Sequence, residues 1–262
     1  MIGFTRDFEV GGRSRNFSRR LQRHLEKDYE IFTEVLHAWR FGVPQARRRF
    51  ILIGIRRVDG QPPIASPFNE LHKVRDVVLP RHGLAPYPTA RSALSDLTVT
   101  RNGTVPCVDS PGFEAVAYKS PRSAFQRAMR DGFTGAPGDT RLARHGPETV
   151  DRYTRIIEMC RATKRSTQRL SEEMKAQVGL KKGTLRVLDP TRPAPTITTM
   201  PDDLLHYCEP RALTVRENAR LQTFPDWFVF KGKYGTGGTS VAGRFLDLAR
   251  SRTPCRPFSQ KS

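Results

Sequence analysis

The chain is short of cysteine. Its 262 residues hold four, Cys107, Cys160, Cys208 and Cys255, widely scattered and with no CxxC pair. That spacing gives neither a zinc ligand set nor a disulfide framework, and it fits a reducing, cytoplasmic compartment. Long apolar runs are missing too, so no segment reads as a membrane span. The first residues, MIGFTRDFEV, carry acids and no apolar centre, and so do not read as a secretory signal. Internal repeats are absent. Acids are outnumbered: 26 Asp and Glu stand against 45 Lys and Arg, a formal net charge of +19. A surplus of that size fits a polyanionic partner, of which nucleic acid is the commonest, although a solvated basic surface can also be inert.

What is present falls into a few readable stretches. Residues 16–27, NFSRRLQRHLEK, place Phe17, Leu21 and Leu25 on one helical face. Residues 29–41, YEIFTEVLHAWRF, are β-branched and aromatic and read as a strand ending in a loop. FGVPQ turns the chain, and a second strand is expected over residues 49–57. So short a connection favours an antiparallel pair over a crossover. Residues 59–88, rich in proline and polar side chains, read as linker, and a short helix is expected to begin near Thr89 in PTARSALSDL. Residues 98–182 alternate loops with the helical patterns RSAFQRAMR, ETVDRYTRIIEMCR and TQRLSEEMKAQV. In RALTVRENARLQTFPDWF, Thr214 and Glu217 have capping-box spacing, and the helix they start should run to about Thr223 and stop at Pro225. Arg216 and Glu217 read as packing and capping residues. His206, Tyr207 and Cys208 match no metal or catalytic arrangement and read as packing or surface residues.

The arginines at the mouth of the second strand need an explanation. Arg47, Arg48 and Arg49 precede the apolar run Phe50 to Ile55, and buried guanidinium groups are costly unless something anionic or polar meets them. Alternate residues of a strand share a face, so Arg47 and Arg49 are expected to point together into a cleft, with Arg48 opposed. Gln45 adds an amide at the turn. The plainer alternative is a surface strand end with solvated arginines.

Three ordered blocks decide between these readings. FGVPQARRRFILIG resembles the Gln-x-Arg-x-Arg block of the DNA cytosine-5 methyltransferases. RPAPTITT, residues 192–199, resembles their Arg-Pro-x-Pro-Thr-Ile block, and RALTVRENARLQTFPDWFVFKG, residues 211–232, resembles the segment that follows it. The resemblance implies an α/β fold: the C-terminal part of a doubly wound methyltransferase sheet with a smaller, irregular target-recognition domain. The implied division is residues 1–80 for the remainder of the catalytic domain, 81–200 for target recognition, and 201–262 for a segment returning to pack on the catalytic domain, with a diverged tail. The implied reaction is methyl transfer from S-adenosylmethionine to cytosine C5 in double-stranded DNA, of restriction–modification type, in the bacterial cytoplasm at the nucleoid. Arg49, Arg47 and Gln45 are then base-orienting donors. DNA contacts are expected within residues 98–200, with no individual residue assigned.

The same resemblance marks what does not match. The family's Phe-x-Gly-x-Gly cofactor loop, its Pro-Cys-Gln nucleophile block and its Glu-Asn-Val acid block are not found ahead of the first stretch. The Asn-Ala-x-x-Pro segment is not matched after the third. RTPCRPFSQ resembles the nucleophile loop, with Arg256 in place of glutamine, which makes Cys255 a candidate displaced nucleophile. The chain therefore reads as a C-terminal portion, inactive alone and without the main S-adenosylmethionine loop. The alternatives are a non-catalytic DNA-recognition subunit working with a separate N-terminal methyltransferase chain, an inactive gene remnant, or an RNA-directed relative. No metal site is expected.

Overall fold

The computed structural model describes residues 7–10, 13–60, 62–163, 170–180, 185–197, 203–232 and 234. Strands β1 (Phe8–Val10) and β2 (Arg13–Arg15) pair antiparallel. Helix α1 (Phe17–Leu25) starts at Asn16, whose side-chain oxygen accepts the Arg19 N–H at 3.1 Å and the Ser18 hydroxyl at 2.7 Å. The expected apolar stripe is present, yet Phe17 stays 52% exposed and Leu21 39%.

Strands β3 (Tyr29–His37) and β4 (Arg48–Arg56) form the longest pairing, antiparallel as expected, from Tyr29 opposite Arg56 to His37 opposite Arg48. The first strand ends earlier than its composition implied, because Ala38–Phe41 close into a 3-10 turn. Gly42 terminates that turn at φ +78°, and a Cβ there would lie 2.9 Å from the Leu79 side chain, so glycine is required on both counts.

The stretch expected to be linker contains helix α2 (Pro67–Arg81), the main correction to the sequence reading. Its prolines misled. Pro67 sits in the first turn, where the missing N–H costs nothing, and Pro80 falls in the last turn. The helix is fastened to β3 through His72, whose Nε2 lies 2.9 and 3.1 Å from the two Glu34 carboxylate oxygens. Arg75 Nη1 lies 2.9 Å from the other ring nitrogen, so Nδ1 accepts and Nε2 donates.

Helix α3 (Ala90–Leu94) begins at Thr89 as expected, with a reciprocal capping box between Thr89 and Ser92. Helix α4 (Val99–Asn102) leads to the antiparallel strands β5 (Thr104–Pro106) and β6 (Glu114–Val116). The three helical patterns of the middle region are α5 (Ala124–Met129), α6 (Pro147–Ala162) and α7 (Glu172–Gln177). Strands β7 (Arg186–Val187) and β8 (Leu204–Leu205) pair in parallel, and α8 (Val215–Arg220) follows. The described sheets are two-stranded throughout, so the described residues are a mixture of helix and short strand. No described helix is long and apolar enough to cross a membrane.

The two larger apolar clusters lie beyond residue 89. One joins Leu94, Phe125, Met129, Leu188, Leu204, Leu213 and Leu221; the other joins Ile156, Ile157, Met174, Leu185 and Leu205. Each such side chain contributes roughly 1.5–3 kcal/mol on burial. The segment after residue 200 contributes Leu204, Leu213 and Leu221 to the first cluster and Leu205 to the second. Helix α8 also stops sooner than expected. Thr223 adopts φ +63°, its N–H reaches the Arg220 carbonyl at 3.0 Å, and Phe224 N–H reaches Ala219 at 3.1 Å. These are the two bonds of a left-handed helix closure, with threonine where glycine usually stands.

Candidate active site at the strand end

The turn before β4 brings the first two blocks into contact. Gln45 and Ala194 form a parallel bridge. Ala46 N–H donates to the Ala194 carbonyl at 2.7 Å, Ala194 N–H to the Pro44 carbonyl at 2.9 Å, and the Thr196 hydroxyl to the Ala46 carbonyl at 3.3 Å. Residues some 150 positions apart are thus zipped by backbone bonds. Pro44 and Gln45 are buried, and the Gln45 Nε2 has no hydrogen-bond partner. A buried amide donor left open is expensive, on the order of 1–3 kcal/mol, and marks a place where another polar group belongs.

The arginines follow directly. Arg47 is half-buried, and its carbonyl accepts the Ala38 N–H at 2.8 Å, which pins it to the 3-10 turn. Burial, and then the neighbouring Arg49 charge, hold the Arg47 guanidinium below its ordinary value. Arg49 is half-buried and its Nη1 donates to the Arg48 carbonyl at 2.8 Å, while Arg48 itself is exposed. Two cations close enough to disfavour one another, on the same short turn as an unpartnered amide, give this strand end donors in excess and a surplus of positive charge. Such a strand end can receive an anion or a carbonyl-rich planar group. Cys255, the candidate nucleophile, lies outside the described residues, as do Thr198 and Thr199 of the second block.

The third block contributes rigidity. All six residues of α8 are buried, polar ones included. Thr214 and Glu217 make the expected capping box. Arg211 donates through both terminal nitrogens to Glu217 at 2.8 Å each and through Nε to Glu209 at 2.8 Å. Burial would push the Glu217 carboxyl up, but Arg211 outweighs it and holds the group below the usual carboxylate range. Glu209 in turn accepts the Thr100 N–H at 2.8 Å and hydroxyl at 2.6 Å. Arg220 forks onto Asp226 at 2.8 and 2.7 Å and reaches Asp96 at 2.6 Å and the Ala93 carbonyl at 3.1 Å. Arg216 donates to the carbonyls of Gly138, Pro225 and Phe228. His206 is fully buried 3.9 Å from Glu217, and burial pushes its imidazole down to about 4, so it is neutral at neutral pH.

Sequence reasoning placed Arg216 and Glu217 in packing and capping roles. It missed Asp96 and Asp226 as the counterions of Arg220, and Glu209 as one of those of Arg211. The available signal was the run Arg211, Arg216, Arg220 on an otherwise apolar segment: buried arginines need acids, and the acids lie in SDL, CEP and FPD.

The model of the family described as C-5 cytosine-specific DNA methylase matches residues 11–242. The chain belongs to that family. The cytosine-specific methylase matches include the type II methyltransferase M.DdeI of Desulfomicrobium norvegicum, 27% identical over 217 residues, covering 79% of this chain and 47% of M.DdeI. The type II methyltransferase M.BbvI of Brevibacillus brevis is 29% identical over 208 residues, covering 78% of this chain and 42% of M.BbvI. This member of the methylase family therefore spans less than half the length of these two relatives. A solved structure of a DNA modification methyltransferase encoded within an E. coli prophage aligns with TM-score 0.48 and 18% identity, over 89% of this chain and 59% of that one.

Proposed function

We propose that the chain supplies the base-orienting and target-recognition parts of a DNA (cytosine-5) methyltransferase of restriction–modification type. The reading rests on family membership and on one observation above all. The Gln45 to Arg49 strand end is seated on Ala194 to Thr196, so the backbone that carries these donors is fixed by a segment far away in sequence. Donors fixed before the substrate arrives stabilise developing charge without having to reorganise. In this reading Arg47 and Arg49 orient a cytosine extruded from the duplex, together with a carboxylic acid that polarises it. Gln45 adds its open amide. The proposed division keeps residues 1–80 with a doubly wound catalytic sheet and gives residues 81–200 to target recognition. The core shared by residues 90–94, 125–129 and 204–221 argues for assigning 203–232 to the same body as residues 81–200.

The methyl donor of this family is S-adenosylmethionine. Among the described residues no strand passes through a glycine-rich turn into a helix, the arrangement that holds nucleotide-like cofactors. In this reading the donor's main site is supplied by polypeptide outside the described residues. The described cysteines do not look like the nucleophile either. Cys107 is buried, and burial pushes the Cys208 thiol up, the direction that disfavours thiolate attack.

A second reading, a recognition subunit that works with a separate catalytic chain, is favoured by the surface of the first eighty residues. Phe17 and Leu21 of α1, Val35 of β3, and Leu71, Val74 and Val77 of α2 are all exposed. Apolar side chains left open on α1, β3 and α2 leave surface available to be covered.

One experiment addresses both. The 262-residue chain is co-expressed with a polypeptide carrying the cofactor-loop, Pro-Cys-Gln and Glu-Asn-Val blocks of a related methyltransferase. Bisulfite conversion then reads cytosine methylation. Methylation is expected only with both parts present, and Arg49→Ala should abolish it. Both parts soluble and associated, with no methylation, would overturn the proposal; tight stoichiometric S-adenosylmethionine binding by the chain alone would overturn the division of labour.

A further inference from the structure

We propose that the 3-10 turn leading into β4 carries a second DNA contact. It is a phosphate site formed by Arg40 and Arg48 beside the Trp39–Tyr87 aromatic pair, outside residues 98–200 where DNA contacts are expected. The proposal rests on the DNA-directed reading above. Trp39 and Tyr87 meet edge to face with centroids 5.0 Å apart, and His37 approaches Trp39 at 5.7 Å from the other element of the turn. The Arg40 guanidinium lies 5.2 Å from the Trp39 ring centroid. Arg48 is the cross-strand partner of His37, so its side chain emerges on the same face of the hairpin. The cluster is tied to the candidate active site through the Ala38 N–H bond to the Arg47 carbonyl.

Burial separates this group from a packing cluster. Tyr87 is 46% exposed, and Arg40 and Arg48 are exposed. Among the described residues neither arginine pairs with a carboxylate, although the chain uses acids freely to balance Arg211 and Arg220. A guanidinium resting on an indole is already partly desolvated and loses little freedom when it meets an anion. Arg40 in that setting, with Arg48 exposed on the same face and a half-exposed tyrosine ring, matches the chemistry of a DNA strand: phosphate for the arginines and a sugar face for the ring.

The chain has two tryptophans, Trp39 and Trp227, so a Trp227→Phe variant leaves Trp39 as the sole indole reporter. The probe is a mixed-sequence duplex oligonucleotide, with its own fluorescence anisotropy reporting binding and Trp39 emission read in the same titration. Saturable change of Trp39 emission, tracking anisotropy, is expected. Arg40→Gln in this background should reduce the slope of log affinity against log salt by roughly 1, a loss of one phosphate contact that a purely structural role would not produce. Binding by anisotropy with unchanged Trp39 emission and an unchanged salt slope in Arg40→Gln would overturn this site while leaving the methyltransferase reading intact. Absence of any binding by anisotropy would overturn the DNA-directed reading itself, and this site with it.

Discussion

Helix α8 holds two arginines, a glutamate and an asparagine among its six residues, and every one of them is buried. Strands β3 and β4, nine residues each, are rich in isoleucine, leucine, valine and phenylalanine, and none of their residues is buried. Polarity and burial are therefore exchanged between the two regions. The exchange teaches that the two parts of the chain are completed by different means. The charged helix carries its own counterions: Asp226, Asp96, Glu209 and Glu217 meet Arg220 and Arg211 within hydrogen-bond distance. The apolar hairpin has α2 fastened to one side through Glu34 and His72, and Val35 on the other side of the strand stays 43% exposed. Hydrophobic surface that the described residues leave open is available to a covering partner.

The strongest way to break the comparison is to remove the charge that the helix region has enclosed. Arg220→Leu keeps most of the side-chain volume and leaves Asp96 and Asp226 facing each other in the core, with Arg130 reaching Asp226 only at 3.3 Å. Removing one partner of a buried ionic group typically costs about 3–5 kcal/mol. Urea unfolding should show a loss of that order. A loss below 1 kcal/mol would mean that the network is not closed in solution.

A smaller effect, with a definite sign, comes from His206. Its imidazole sits at about 4 because burial outweighs the pull of Glu217. Its ordinary value is 6.5. Between those values the unfolded chain takes up a proton that the folded chain refuses. Stability is thus full above pH 6.5 and declines as pH falls towards 4, by about 3 kcal/mol in total. Glu217, held low by Arg211, adds a further loss at still lower pH, since a depressed carboxylate stabilises only while ionised. Thermal melts across this range should slope for the native chain and flatten above pH 4 in His206→Phe. An equal slope in both proteins would place the proton uptake elsewhere.

How far the sequence disclosed these regions depends on which forces act locally. The hairpin was legible because alternation, a glycine–proline turn and a short connection are all local signals, and they gave the pairing of Tyr29–His37 with Arg48–Arg56 to within a residue at the second strand. The capping box at Thr214 and the start of a helix near Thr89 were legible for the same reason. Helix α2 was hidden because composition was weighed over its whole neighbourhood, whereas its prolines occupy only the first and last turns. The counterions of α8 were hidden because the partners of Arg220 include Asp96, which lies 124 positions away and is brought near only by tertiary packing. In the candidate site, the block containing Gln45, Arg47 and Arg49 was visible as a motif. Its contact with Ala194 was not, since a parallel bridge between distant loops leaves no periodic trace.

The most discriminating change has the smallest effect on the chain by itself. Val35 points away from α2 and stands opposite Phe50 on the exposed face of the hairpin. Val35→Lys places an ammonium on that face. If the face is open in the isolated chain, the charge remains hydrated and stability should change by no more than about 0.5 kcal/mol. When the face is covered by the rest of a methyltransferase, the same lysine must be desolvated without a partner, and association should weaken by orders of magnitude. Size-exclusion chromatography of the co-expressed pair reads the association, and urea unfolding of the single chain reads the stability. A loss of about 2 kcal/mol or more in the single chain would show the hairpin already enclosed, as a core substitution is. Unchanged association would show that the covering surface lies elsewhere. Only stability retained with association lost fits an apolar hairpin that is finished by polypeptide beyond these residues.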